Sequence, residues 1–254
     1  MKIKSLLRWA GLLLLALVAL QLFFVFRIAV MTAADPQSTA FQRSEAWRLQ
    51  VEKGRLPWRQ QWVSYERISD SLKQAVIASE DDGFSNHEGV DWDALEKAWQ
   101  KNARAQAQAE RAQAGKRTGA ASASERKSPR TPKVVGGSTI TQQLAKNLFL
   151  SGERTLLRKG QEFVLTLALE TLLSKRRILE IYLNSVEWGE GVFGAEAAAQ
   201  HYFRKPASQL SAYEAARLAV MLPRPKYFEK LPNSSYLAER AGVIAARLGG
   251  AELP

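Results

Sequence analysis

The segment GGSTITQQLAKN, from Gly136 to Asn147, decides how the fold of this chain is interpreted. Two glycines form a hinge, Ser138 is placed to cap a helix, and an apolar stripe recurs at every fourth position, at Ile140, Leu144 and Leu148. This spacing predicts a helix over about 138–150 with one buried face. A second face carries Gln143, Lys146 and Asn147. Free amides at the helix start suit an anionic phosphate, although a Gly-Gly-Ser helix start is also common without one.

An acidic turn, EDDGFSNHEG from Glu80 to Gly89, follows an amphipathic helix predicted over about 69–80. Glu80 falls at the carboxyl end of that helix, where the helix dipole disfavours negative charge and raises the pKa of a carboxyl group. A raised pKa suits a general base that works near neutral pH. The alternative is a solvated acidic turn, in which His87 is structural.

A basic cluster precedes Glu162 and consists of Arg154, Arg158 and Lys159. Arg158 and Lys159 lie about one helical turn before Glu162, so ion pairs are expected. An ordinary surface cluster of this kind contributes only a few tenths of a kcal/mol per pair. The functional alternative is a cationic cradle for a pyrophosphate leaving group.

Two further motif matches lack the structural context that would give them meaning. The segment from Gly189 to Gly194 fits the dinucleotide-binding fingerprint, but no strand is predicted before it. The segment from Ser124 to Lys127 fits the S-x-x-K motif of penicillin-reactive enzymes, but no large domain surrounds it. The absence of cysteine excludes disulfides and cysteine nucleophiles, and two histidines leave little material for a metal site.

The net charge of +11 over 254 residues first suggests nucleic acid or an anionic membrane as the partner. Residues 1–8 carry +3, residues 101–133 carry +7, and all other residues together carry only +1. The segment 101–133 has no Leu, Ile, Val or aromatic residue and cannot build a core, which predicts a flexible basic insert. We expect it to lie against anionic lipid or glycan, and we expect no nucleic-acid partner.

A hydrophobic run follows the first basic segment. Gln21 is the only polar side chain from Trp9 to Phe26, and the stretch Leu6 to Val30 exceeds the roughly 20 residues that span a bilayer. A cleaved signal peptide is the alternative, but its apolar core is usually only about 7–15 residues long. The basic amino end predicts a cytoplasmic N-terminus, with the remaining chain outside. The predicted domains are a cytoplasmic tip with a transmembrane anchor over 1–34 and one catalytic domain over 35–254, which contains the insert.

The rest of the pattern predicts a mostly α fold. Further helices are expected over about 92–102, 156–183, 195–203, 211–222 and 235–248. The stretch from Phe163 to Leu173 is apolar almost all round, which predicts a buried central helix. No convincing alternation predicts a strand.

Taken together and in this order, these segments resemble the motifs of glycosyltransferase family 51, the peptidoglycan transglycosylases, whose module also begins class A penicillin-binding proteins. The four matching segments are Glu80 to Gly89, Gly136 to Gln143, Arg158 to Glu162, and Arg177 to Asn184 continuing into 188–198. The resemblance covers about residues 60–250 and the anchor. The insert departs from it, because the family's membrane-facing region there is usually shorter and more apolar.

The resemblance implies a lysozyme-like helical domain with a small membrane-proximal lobe and one N-terminal transmembrane helix. It implies polymerisation of lipid II, the lipid-linked disaccharide-pentapeptide, with release of undecaprenyl pyrophosphate. Glu80 would be the general base, and Glu162 would assist near the donor phosphate. The pyrophosphates would be held by Lys146, Arg154, Arg158 and Lys159. The donor site would be shaped by Ser138, Thr139, Gln142, Gln143 and Asn147.

The resemblance also implies a single-pass protein of the bacterial inner membrane with a periplasmic catalytic domain. Its expected partners are lipid II, the growing glycan strand, membrane lipids, and other cell-wall synthesis and division proteins. No cofactor is required, and assistance by a divalent cation (Mg²⁺ or Mn²⁺) stays open. One rival is a lysozyme-like lytic transglycosylase, which has no use for the second motif or the basic cluster. The other is a membrane-anchored protein that binds anionic polymers, which explains the charge but not the motifs.

Overall fold

The structure is a computed structural model that describes residues 3–118, 137–153 and 155–254. In these ranges it has eleven α-helices: α1 Ile3–Val30, α2 Ala40–Lys53, α3 Asp70–Glu80, α4 Trp92–Thr118, α5 Ile140–Phe149, α6 Leu156–Leu172, α7 Lys175–Ser185, α8 Ala195–Phe203, α9 Ala212–Met221, α10 Pro225–Phe228 and α11 Ser235–Ala245. Three short strands accompany them: β1 Arg59–Gln60, β2 Glu187–Gly189 and β3 Val192–Phe193. The predicted mostly α class is confirmed.

The chain forms two compact units, one comprising Met1–Gly89 with Thr139–Pro254 and the other Val90–Ser138. The second unit contains α4, which begins after its cap Asp91 and continues well beyond the predicted end at residue 102. The expected boundaries at residue 34 and at about 101–133 are not tested by this division and stay predictions.

Side-chain caps set where the helices of the first unit begin. Ser69 accepts a hydrogen bond from the Leu72 amide at the start of α3, and Ser211 forms a capping box with Glu214 at the start of α9. The predicted cap Ser138 is wrong, because α5 is capped by Thr139. The reason is the spacing, because a capping box needs a side-chain acceptor three residues after the cap. Gln142 is three residues after Thr139 and provides that acceptor.

Helix α6 departs from the sequence prediction in two ways. The single helix expected over 156–183 is broken after Leu172, and Ser174 caps α7 by accepting from the Arg177 amide. The expected burial of Phe163 to Leu173 is also wrong, because only one face of α6 is buried. Val164, for example, is 47% exposed.

The exposed apolar side chains of α6 belong to a helix that packs beside the membrane anchor. The amides of Gln21 in α1 and Gln161 in α6 exchange two hydrogen bonds, at 2.9 and 3.0 Å. Phe24 of α1 meets Phe149 of α5 edge to face, with ring centroids 5.4 Å apart. The unburied face of α6 is therefore apolar, with Phe163, Val164 and Leu167 exposed on a helix that contacts α1.

The three strands form one small sheet with the order β1-β3-β2, in which β1 runs parallel and β2 antiparallel to β3. Strands of two or three residues are too short to show an alternating pattern, which is why the sequence did not predict them. The glycines of the dinucleotide-like segment serve this hairpin instead. Gly191 has φ +73°, and a Cβ there would overlap the carbonyl oxygen of Pro57.

The anchor α1 is joined to the body by Arg177 of α7. Its guanidinium donates to the carbonyl oxygens of Met31 and Ala34 and pairs with Asp35. Residues Lys4–Val30 form an apolar, mostly exposed helix that is long enough to cross a bilayer. This helix fits a single-pass membrane anchor.

Candidate active site

Glu80 ends α3 and is the last member of a hydrogen-bond chain that includes side chains of two other helices. Its Oε2 atom accepts a hydrogen bond from Nε2 of Gln143 in α5 at 3.0 Å. The Oε1 atom of Gln143 accepts from the hydroxyl of Tyr182 in α7, also at 3.0 Å. Because Tyr182 is almost wholly buried and donates to the amide oxygen, it directs the amide nitrogen of Gln143 toward Glu80.

The pKa of Glu80 is raised above its ordinary value, in the predicted direction. Burial is the largest cause and favours the neutral carboxyl, while the hydrogen bond from Gln143 lowers the pKa. The charge of Asp81 raises it further and that of Lys146 lowers it. The result is a half-buried carboxyl group whose proton affinity suits a base.

Asp81 joins the first and second motifs. Its Oδ2 atom accepts from the backbone amide of Ile140, the first residue of α5, at 2.9 Å. Its Oδ1 atom accepts from Nε2 of His87 at 2.8 Å, while Nδ1 of His87 accepts from the amide of Gly89. A buried carboxylate at a helix N-terminus is favoured by the helix dipole, so Asp81 fixes the start of α5 beside Glu80.

Glu162 in α6 is buried and has a cationic donor on each oxygen. Nη1 of Arg158 donates to its Oε2 at 2.8 Å, and Nζ of Lys159 pairs with its Oε1. The side chain of Lys159 is half exposed, whereas that of Glu162 is 5% exposed. The local pairing expected from the sequence spacing is therefore present.

Lys146 in α5 interacts electrostatically with both Glu80 and the cluster around Glu162. The residue as a whole is exposed, yet desolvation of its ammonium lowers its pKa. The positive charges of Arg158 and Lys159 lower the pKa of Lys146 further. The negative charges of Glu162 and, to a smaller extent, Glu80 raise it. One cation thus interacts electrostatically with both carboxylates, and the polar face of α5 bridges Glu80 and the cationic cluster.

The other predicted site residues lie at or near the start of α5. Thr139 and Gln142 are buried, and their side chains are engaged in the capping box; Thr139 also donates to the carbonyl oxygen of Gly89 at 2.6 Å. Asn147 is half-buried on α5, and Ser138 is exposed and belongs to the second unit. Arg154 lies outside the described residues. In the described part of the chain, no three His, Asp or Glu side chains converge as metal ligands.

Comparison with known proteins places this site in a family. The family model described as Transglycosylase matches residues 50–115 and 115–249. The chain belongs to the transglycosylase family. The matched residues include Glu80, Asp81, Gln143 and Glu162, and the match confirms the lysozyme-like class expected from the sequence.

Curated relatives of the transglycosylase family cover nearly the whole chain. The biosynthetic peptidoglycan transglycosylase of Burkholderia thailandensis is 54% identical over 239 residues, which is 94% of this chain and 84% of that protein. The protein of the same name from Burkholderia pseudomallei is 53% identical over 239 residues, with the same coverage. The one from Herminiimonas arsenicoxydans is 51% identical over 253 residues, which is 99% of both chains.

Sequence reasoning missed two residues of this transglycosylase site. Tyr182 falls within the fourth motif and Asp81 within the acidic turn, and the sequence pattern assigns a role to neither. The available signal for Tyr182 was a polar-tipped aromatic in the apolar pattern of a helix, since a buried tyrosine hydroxyl usually finds a partner. No sequence signal indicated that Asp81 would reach Ile140, which lies 59 positions away.

Proposed function

We propose that this peptidoglycan transglycosylase polymerises lipid II into glycan strands and releases undecaprenyl pyrophosphate. One observation carries the proposal: α5 places Gln143 on the carboxylate of Glu80, at 3.0 Å, and on the same helix places Lys146, which interacts electrostatically with both Glu80 and Glu162. A base at one end and a group of cations at the other is what transfer of a sugar from a diphosphate to an alcohol requires.

Glu80 is the proposed general base. Its carboxylate takes the proton of the acceptor sugar hydroxyl as that oxygen attacks the anomeric carbon of the donor. The bond from that carbon to the pyrophosphate oxygen breaks in the same displacement, and the electron pair leaves with the pyrophosphate. The anomeric centre is inverted, and no covalent sugar–enzyme intermediate is formed.

The cations are proposed to stabilise the leaving pyrophosphate. Lys146 and the half-exposed Lys159 have ammonium groups that can turn to an anion, and Arg158 offers a planar fork of donors. Arg154 is assigned the same role from its position in the sequence. Both oxygens of Glu162 are engaged by Arg158 and Lys159, so we assign Glu162 the orientation of these cations.

The start of α5 is proposed to shape the donor site, partly through positioning. Thr139 and Gln142 fix the start of α5 through their reciprocal capping box. Asp81 fixes it as well by accepting a hydrogen bond from the Ile140 amide. Gln143 orients Glu80, and Ser138 and Asn147 complete the set expected to line the donor sugar.

The proposed location is the bacterial inner membrane, with α1 as the anchor, its basic amino end in the cytoplasm and the catalytic body outside. This orientation follows from three basic residues at the amino end of the chain, Lys2, Lys4 and Arg8. A membrane-anchored enzyme meets a lipid-linked substrate at the surface where that substrate resides. The proposed partners are therefore lipid II, the growing strand and membrane lipids.

The test is polymerisation of purified lipid II by the full-length chain in vesicles. We expect Glu80→Gln to lower kcat by at least about 100-fold, the usual contribution of a general base. Asp82→Asn is the matched control, since Asp82 is the exposed neighbouring carboxylate and pairs with Arg247 at 3.2 Å. Full activity of Glu80→Gln would remove the assigned role, and wild-type protein that only shortens existing strands would favour the lytic rival.

The proposed chemistry uses no cofactor. We expect EDTA to leave the rate of polymerisation unchanged within a factor of two. A loss of activity that Mg²⁺ or Mn²⁺ restores would show instead that a divalent cation takes part.

A further inference from the structure

A cavity of about 370 Å³ lies where α1 ends and the chain turns toward α2. One part of its wall is apolar and is formed by Phe26, Val30 and Met31. The other part is polar and is formed by Arg27, Ser38 and Arg43. None of these side chains belongs to the site around Glu80 and Glu162.

The cavity has two guanidinium groups that pair with no carboxylate of the described residues. In the described residues, neither Arg27 nor Arg43 forms an ion pair. Arg27 lies over the ring of Phe149, 5.1 Å from its centroid, and Arg43 donates to the backbone and hydroxyl oxygens of Ser38 at 3.2 Å. Asp35, the carboxylate in the wall, is already paired with Arg177 at 2.7 Å.

The position of the cavity relative to the membrane follows from the length of α1, and this step rests on the membrane orientation proposed above. The span Lys4–Val30 is 27 residues long. At about 1.5 Å per residue it covers roughly 40 Å, close to the thickness of a bilayer with its headgroups. The cavity at the end of α1 therefore lies at the level of the outer headgroups. The side chain of an arginine near the end of a membrane helix extends to the interface, so Arg27 meets the phosphate groups of the headgroups there.

We propose that this cavity binds the headgroup of an anionic glycerophospholipid. The phosphate lies between Arg27 and Arg43, because guanidinium forks match phosphate oxygens. The acyl chains follow the exposed apolar surface of α1, where Leu22 is 63% and Phe26 is 66% exposed. The bound lipid holds the junction between anchor and body at a fixed height in the membrane.

The test is the lipid that stays bound when the full-length chain is extracted from vesicles of equal parts phosphatidylglycerol and phosphatidylcholine, measured by native mass spectrometry. Wild-type protein is expected to retain phosphatidylglycerol in excess. Arg27→Gln and Arg43→Gln should each lower that excess about 5-fold. The matched control is Arg55→Gln, which removes an exposed arginine outside the cavity. Equal loss in the control, or an unchanged ratio in Arg27→Gln/Arg43→Gln, would overturn the proposal.

Two further arms separate the sources of phosphate. Millimolar inorganic phosphate or pyrophosphate should not displace the lipid, and displacement would mean a site for free anions. Displacement by undecaprenyl pyrophosphate at equal concentration would assign the cavity to the leaving group instead.

The Tm of the wild-type chain tests the same proposal without depending on whether a variant folds. Dihexanoyl-phosphatidylglycerol should raise Tm in detergent where dihexanoyl-phosphatidylcholine does not, and an equal effect of both would contradict the proposal. Glu80→Gln should keep the wild-type lipid ratio whether or not it polymerises lipid II, so failure of the catalytic proposal is seen separately.

Discussion

The side-chain amide of Gln143 donates a hydrogen bond to the carboxylate of Glu80 over 3.0 Å, and the hydroxyl of Tyr182 holds that amide from its other end. The bond favours the charged form of Glu80, whereas burial favours the neutral form. The balance of the two sets the pH at which Glu80 becomes a base.

Replacing Gln143 by leucine should move the acidic limb of the pH–kcat/KM profile upward. The loss of the hydrogen bond raises the pKa of Glu80 further, and since the base is the deprotonated form, activity is lost first at low pH. A shift of about one pH unit is expected, because a hydrogen bond to a charged group contributes about 1.5–3 kcal/mol. Tyr182→Phe should shift the limb less, in the same direction. A limb that stays in place or moves down would show that Gln143 does not set this pKa.

Asp81→Asn should destabilise the body and lower kcat together. The variant keeps the size of the side chain but removes the charge that meets the Ile140 amide at the start of α5. We expect the free energy of unfolding to fall by about 2 kcal/mol. Gln143 and Lys146 lie on α5, so kcat should fall as well when the start of this helix is no longer held in place. His87→Gln, which affects only the Oδ1 side, should have a smaller effect on both thermal unfolding and kcat. Wild-type behaviour of Asp81→Asn would contradict the role of Asp81 in fixing α5.

Glu187→Gln should stabilise the protein at high pH and not at low pH. Burial is the largest cause that raises the pKa of Glu187 to about 7, and the negative charge of Glu45 raises it as well. The positive charges of Lys226 and Arg48 lower it. Because the folded pKa is above the unfolded one, the wild type loses stability as pH rises from about 4.5 to 7. Glutamine resembles the protonated form, so it removes this loss.

The measurement for Glu187→Gln is Tm at two pH values. At pH 8 the variant should be more stable by up to about 3 kcal/mol, and at pH 4 the two proteins should match. Glu45→Gln is the comparison. Glu45 pairs with Arg48 at 2.8 Å and with Lys226, and these two cations lower its pKa although burial acts to raise it. Glu45→Gln should therefore destabilise the protein at pH 8. A gain for Glu187→Gln that is equal at both pH values would contradict the assignment.

The contact between Gln21 and Gln161 should be detectable by crosslinking in membranes. The natural chain has no cysteine, so Gln21→Cys/Gln161→Cys gives an assay without background. A short bismaleimide should join the pair, as seen by mass spectrometry of the linked peptides. Leu14→Cys/Gln161→Cys should not be joined, because Leu14 lies seven residues, or about 10 Å, further along α1. Equal yields for the two pairs would mean that α1 does not pack on α6 in this register.

The local features of the fold were predictable from the sequence. The caps Ser69 and Ser211, the anchor with its lone Gln21 and the pairing of Arg158 and Lys159 with Glu162 all depend on residues close together in the chain. The failures had local causes as well. Ser174 interrupts a pattern that reads as one helix, and strands as short as β1 have no period to detect.

What the sequence by itself determined was therefore the helical class, the anchor and which residues carry charge or hydrogen-bonding groups. Tertiary structure alone decided which of these groups meet. Glu80 and Gln143 are 63 positions apart, Asp81 and Ile140 are 59 apart, and Gln21 and Gln161 are 140 apart. Helical periodicity reports only neighbours within a turn or two. Contacts between distant residues depend on how whole helices pack, and burial, which packing creates, raises the pKa of Glu80.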